Sequence, residues 1–348
     1  MTTTQRAADH RRPLGDAPAY SADRADGIVR LRDMGSDVHV AVAPHAGNMA
    51  FEMKVCGHEI LRFPFDSIEE FLQHDGGLQG IPLLAPWANR LDEQAFYANG
   101  ERFAFDMGLG NVRGAIPIHG FLSRAYEWQV GEIGADHSAA WVTSTLDVFA
   151  NPRWMKQFPF AHRIGMTHRL ESGTLEVATW IENMAAMPMP VSIGFHPYFT
   201  LTDSPRDEWT IAVGARSVWP LDSTKIPTGV KAPIATLFED PARVLLKNVD
   251  LDHVFGDLVR DHDGRSTMTV TGRNQRIDVI AGPRYPCTVI YAPQSPAAQD
   301  RNFICFEPMA AITNGINLAH RGLYDELQSI PPGGTWRESF WVRPGGFS

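Results

Sequence analysis

Twenty-five prolines and thirty glycines are spread through the 348 residues rather than gathered into linkers, and that spacing leaves little room for long helices. Proline inside a helix removes a backbone donor and clashes with the preceding turn, whereas both residues suit turns and sheet edges. What lies between them agrees. Short period-two or β-branched runs recur, each closed by Gly, Asn, Asp or Pro. Those at Asp37–Ala43, Met49–Cys56, Ala139–Val148, Thr174–Ile181, Thr267–Thr271, Arg276–Ala281, Cys287–Ala292 and Trp336–Val342 are read as strands. The best helical pattern is the short stretch 66–73, with Asp66 or Ser67 placed to cap it. The expected class is therefore mainly β.

No period of 20–50 residues repeats, which argues against a propeller or solenoid. Residues 1–26 hold no sustained period and are expected to form a flexible N-terminal arm; 27–345 is expected to form one large β domain, since sandwiches and barrels often run long without dividing. Thirty-one basic against forty acidic side chains give a formal charge of −9, which repels nucleic-acid phosphates and anionic membranes in the absence of a basic patch. The N-terminus lacks an apolar segment of the kind a secretory signal carries, and no stretch reaches the length of a membrane span, so a cytoplasmic location is the default expectation. Cys56, Cys287 and Cys305 are odd in number and far apart, which reads as reduced core thiols rather than a disulfide framework or a zinc site. Nor is there a His-Glu-x-x-His or a close Cys/His cluster, and no metal or cofactor is expected. The glycine-rich Gly108–Gly114 leads into Ile-Pro-Ile rather than a helix, so it reads as a turn and not a phosphate cradle.

Four segments place an ionisable group among apolar or aromatic neighbours: Pro86-Trp87-Ala88-Asn89-Arg90, Ile118-His119-Gly120-Phe121, Gly194-Phe195-His196-Pro197-Tyr198-Phe199 and Cys305-Phe306-Glu307-Pro308-Met309. A buried charge needs partners or a shifted pKa, which makes such positions site candidates. His196 and Glu307 each precede a proline, which holds their backbone extended and restrains the side-chain direction. Each residue alone also has a structural reading. The histidines could be satisfied by a backbone carbonyl, Glu307 by an arginine, Arg90 could brace a loop, and Asp252 could cap a turn.

In order and setting these segments resemble the aldose 1-epimerase (galactose mutarotase) family. The resemblance also takes in Gly80–Ala85, Asn99-Gly100, Ile226-Pro227-Thr228-Gly229, Leu251-Asp252, Tyr291-Ala292-Pro293 and Pro332-Gly333-Gly334, and so covers nearly all of the chain after the arm. It implies a large antiparallel β-sandwich with an open sugar cleft. His196 matches the general acid and Glu307 the general base. Arg90, His119 and Asp252, with Asn89 beside them, fall at substrate-binding positions. Trp87, Tyr198 and Phe199 are aromatic candidates for the sugar's C–H face. The expected partner is a small-molecule sugar substrate, and the protein is expected to be a monomer or weak homodimer. Two alternatives share the fold. One is a hexose-6-phosphate 1-epimerase, with Arg62, Arg113, Arg124 or Arg153 holding the phosphate; the other is a non-catalytic sugar-binding module.

Overall fold

A computed structural model describes residues 19–74, 77–108, 112–294 and 301–348. Every strand pair within its sheets is antiparallel, and the hydrophobic alternation of the sequence decides which face of each strand turns inward. In Thr174–Asn183 every second residue is buried, and Ala140–Asp147 alternates likewise. These two belong to the largest sheet among the described residues, nine strands in the spatial order Gln129–Ala135, Ala140–Asp147, His162–Glu171, Thr174–Asn183, Thr335–Gly345, Arg276–Ala281, Ser266–Thr271, Thr210–Val213, Val244–Leu245. The strands read from sequence are all present, with ends differing by a few residues.

A second sheet faces it, in the order Ala232–Pro233, Ala215–Trp219, Leu251–Leu258, Cys287–Ala292, Ile304–Met309, Gly194–Phe195, Leu83–Leu84, with Tyr198–Phe199 also paired to Ile304–Met309. One hydrophobic cluster runs between the layers: Phe195 of this sheet meets Phe340 of the nine-stranded one at 4.8 Å between ring centroids. The chain is thus a large antiparallel β-sandwich. Ile304–Met309 is buried along its whole length because both of its faces are covered. Ile304 and Phe306 enter the main core, and Met309 joins a second apolar cluster on the other face.

The expected arm ends too late. Tyr20–Ala25 is a strand that pairs with Ile28–Asp33 as the edge of a five-stranded sheet. Asp26 and Gly27, with φ of 52° and 78°, make the two-residue turn between them, and Asp-Gly is the pair such a turn demands because both central residues need positive φ. Residues 1–18 lie outside the described residues. The short helix appears as Ile68–Gln73, its N-terminus capped by the Ser67 side chain accepting from the Glu70 N–H. No helix of the described residues is long and apolar enough to cross a membrane. All three cysteines are free, Cys287 and Cys305 buried and Cys56 half-buried.

Candidate active site

Strand register brings the two central candidates together. Gly194 pairs with Met309 and Tyr198 with Cys305, so His196, midway between, lies opposite Glu307. Paired residues of neighbouring strands project to one face. Asp252 pairs with Tyr291, and Tyr291 with Cys305, which puts Asp252 and Tyr291 on that same face. Glu307 Oε1 lies 3.2 Å from His196 Nε2, and the Glu307 side chain is only 1% exposed. The Tyr198 ring stacks on the imidazole at 4.7 Å and 13°, and Tyr291 meets it edge-on.

The other wall comes from two loops that hold one another. The Asn89 carbonyl accepts from the His119 N–H at 2.9 Å, and the Asn89 N–H donates to His119 Nδ1 at 3.2 Å. That bond makes Nδ1 the acceptor and leaves the neutral ring's proton on Nε2. Next in sequence, Gly120 bridges to Ala85 so closely that a Cβ would sit 2.0 Å from the Ala85 carbonyl oxygen, at a φ of +58°. A side chain there would force the loops apart. The His119 and His196 rings then meet edge to face at 5.4 Å.

Arg90 is buried, its Nη1 on Asn89 Oδ1 at 3.0 Å and its Nη2 on Asp252 Oδ2 at 3.3 Å. It therefore braces a loop, as the structural reading of its sequence position had it, and also ties the loops to the sheet. Burial raises the Glu307 pKa well above the usual carboxyl value; the nearby Asp252 charge pushes the same way and Arg90 opposes. Glu307 Oε2 is buried with no hydrogen-bond partner, an arrangement that costs free energy unless a ligand completes it.

These groups surround a cavity of about 450 Å³, within the roughly 300–1,000 Å³ range of small-molecule sites. All six residues singled out from sequence, Asn89, Arg90, His119, His196, Asp252 and Glu307, line it. Tyr198 does too, but Phe199 and Trp87 do not. Both are sealed in the main core, Trp87 against Phe105 and Phe121. Sequence reasoning assigned no role to Tyr291, Ser123 or Leu78, which also line the cavity; for Tyr291 the signal was its place in the Tyr-Ala-Pro string.

Of the four arginines considered for a phosphate, Arg124 reaches the cavity, yet two of its nitrogens are spent on the carbonyls of His74 and Gly77. Arg62 bonds Gln79, Arg153 lines a neighbouring groove, and the Arg113 side chain lies outside the described residues. Of Gly108–Gly114, residues 109–111 also lie outside them, and Gly114 turns the chain between the paired Val112–Arg113 and Ile116–Pro117.

Known proteins share this architecture at low identity. A galactose mutarotase-like protein from Clostridium acetobutylicum superposes with a TM-score of 0.79 at 20% identity, covering 94% of this chain and 98% of the other. The galactose 1-epimerase of Lactobacillus acidophilus NCFM gives 0.73 at 16%, again over 94% and 98%. In sequence, the uncharacterized protein YihR of Escherichia coli (strain K12) is 22% identical over 236 residues, 68% of this chain and 71% of YihR. The structural likenesses establish the fold. The profile of the family described as aldose 1-epimerase matches residues 52–342, and the chain belongs to that family.

Proposed function

We propose that the protein is an isomerase interconverting the α and β anomers of an aldose, with His196 and Glu307 as its acid and base. The observation that carries this is the 3.2 Å pair on the wall of a sugar-sized cavity, with the second carboxylate oxygen buried and unpartnered. Anomerisation opens a hemiacetal: the C1 hydroxyl loses a proton while the ring oxygen gains one. Both oxygens are bonded to the same carbon, so acid and base must stand close together, as these two do.

In the reacting form Glu307 is a carboxylate and His196 an imidazolium. Glu307 Oε2 accepts the C1 hydroxyl proton, His196 Nε2 donates to the ring oxygen, and the C1–O5 bond breaks to give the open-chain aldehyde. Rotation about C1–C2 presents the other carbonyl face, and the roles reverse on closure. A raised Glu307 pKa suits the task, because a base works best with a pKa near the working pH. His119 Nε2–H and Arg90 supply donors for charge developing on the sugar oxygens, and Asp252 accepts from a hydroxyl. Each proton transfer contributes about 10²–10⁴ in rate.

Polarimetry of freshly dissolved α-galactose, α-glucose and glucose 6-phosphate tests the reading. Rotation should relax faster in proportion to enzyme concentration with at least one of them. Relaxation at the buffer's own rate with all three would refute it.

A further inference from the structure

A second concavity of about 340 Å³ lies beside the cavity and shares Arg124 with it as a wall. One chain segment builds both. Ser123 and Arg124 face the cavity, whereas Phe121, Arg124, Tyr126 and Glu127 face the groove, whose far side is Trp154 and Gln157. Arg124 is held on the carbonyls of His74 and Gly77 and lies over the Phe71 ring at 4.4 Å.

The groove carries the two things a pyranose needs. The rings of Phe121 and Trp154 lie nearly parallel, at 25° and 6.3 Å, and Tyr126 stands 73% exposed at the rim. Such rings offer flat apolar surface to a sugar's C–H face. Two buried polar atoms of the lining have no partner: Glu127 Oε2, whose companion Oε1 accepts from Asn151 Nδ2 at 3.2 Å, and Gln157 Nε2, whose Oε1 accepts from the Asp106 N–H at 3.0 Å. Gln157 is only 3% exposed. One atom is an acceptor and the other a donor. A sugar hydroxyl donates and accepts at once and so satisfies both; an apolar ligand satisfies neither, and an anion without a hydrogen to donate leaves Glu127 Oε2 unpaired even though Arg124 and Arg153 line the groove.

We propose that this groove is a second sugar subsite, and that the substrate class is a reducing disaccharide or longer saccharide whose reducing ring occupies the cavity while the next ring lies on Trp154. The proposal rests on the epimerase reading above.

The test compares kcat/KM for anomerisation of maltose, cellobiose and lactose with that for glucose and galactose, in the wild type, Trp154→Ala and Tyr126→Ala. The wild type should favour at least one disaccharide by about tenfold, equivalent to roughly 1.4 kcal/mol. Trp154→Ala should erase that preference and leave the monosaccharide rate unchanged. Tyr126→Ala, at an exposed position that leaves the fold intact, should weaken the preference severalfold. Disaccharides no better than monosaccharides, or a Trp154→Ala loss equal for both, would overturn the subsite. If no sugar is anomerised at all, the epimerase reading fails by itself. Calorimetric titration with the three disaccharides then decides the groove: saturable binding that Trp154→Ala abolishes supports it, and no binding, or binding that Trp154→Ala leaves unchanged, overturns it.

Discussion

Replacing Glu307 by glutamine keeps the volume and removes the charge. The amide oxygen can still accept from His196 Nε2 at the present 3.2 Å, so the pocket should keep its shape. Two catalytic contributions go together. The amide cannot take the C1 proton, and it no longer places a negative charge 3.2 Å from the Nε2 of the acid. General acid/base catalysis contributes about 10²–10⁴ per transfer, and because the two transfers share the pair the loss should fall at about 10³–10⁴, or roughly 4–5 kcal/mol of barrier. Stability should not follow. Burial already disfavours the carboxylate, as the direction of its pKa shift shows, so Glu307→Gln should melt at the wild-type temperature or above it. Saturation transfer between the anomeric protons of equilibrated sugar measures the exchange rate without a coupled enzyme. A folded Glu307→Gln variant exchanging within tenfold of the wild type would refute the assignment of the base.

With the Glu307 pKa raised, the acid limb of kcat/KM should lie well above pH 4.5; Asp252→Asn removes a charge that raises that pKa, so a pH–rate profile should show the limb moved to lower pH, and an unmoved limb would remove Asp252 from the electrostatics of the base. Glu59 is held at about 7 by burial against an ordinary 4.5. Its contribution is intact below pH 4.5 and is lost as pH rises through 7, so Glu59→Gln should gain on the order of 1–3 kcal/mol over the wild type at pH 8 and little at pH 4, read by urea unfolding. His168 is lowered to about 4 by burial, which gives stability present above pH 6.5 and lost as pH falls through 4. Both its ring nitrogens are buried without partners, and His168→Leu should stabilise by about 1–2 kcal/mol at pH 7 and blunt the acid transition; destabilisation at pH 7 would show that the imidazole is satisfied.

Where period two was clean, strands could be read from the sequence; where function or buried polarity interrupts it, they could not. His162–Glu171 is ten residues long and central to its sheet, yet it escaped notice because His162 and His168 occupy inward positions where an apolar residue would mark the period. Tyr20–Ala25 was missed because its outer residues are exposed and only Tyr20 is buried. The Asp26-Gly27 turn was the available signal. His196 and Glu307 stood out because each is a charge-bearing side chain set before a proline among aromatics. Their meeting depends on antiparallel register between segments more than a hundred residues apart, which local pattern does not encode. Tyr291 reaches the cavity through that same register, and Arg124 through a loop packing that only the folded chain defines.

The central claim is that one acid and one base act on one anomeric carbon. A crystal structure of Glu307→Gln with galactose or maltose bound tests it directly. The account predicts the C1 hydroxyl within hydrogen-bonding distance of Gln at position 307 and the ring oxygen facing His196 Nε2. A sugar seated with C1 turned away from both, toward solvent or the Arg124 wall, would contradict it.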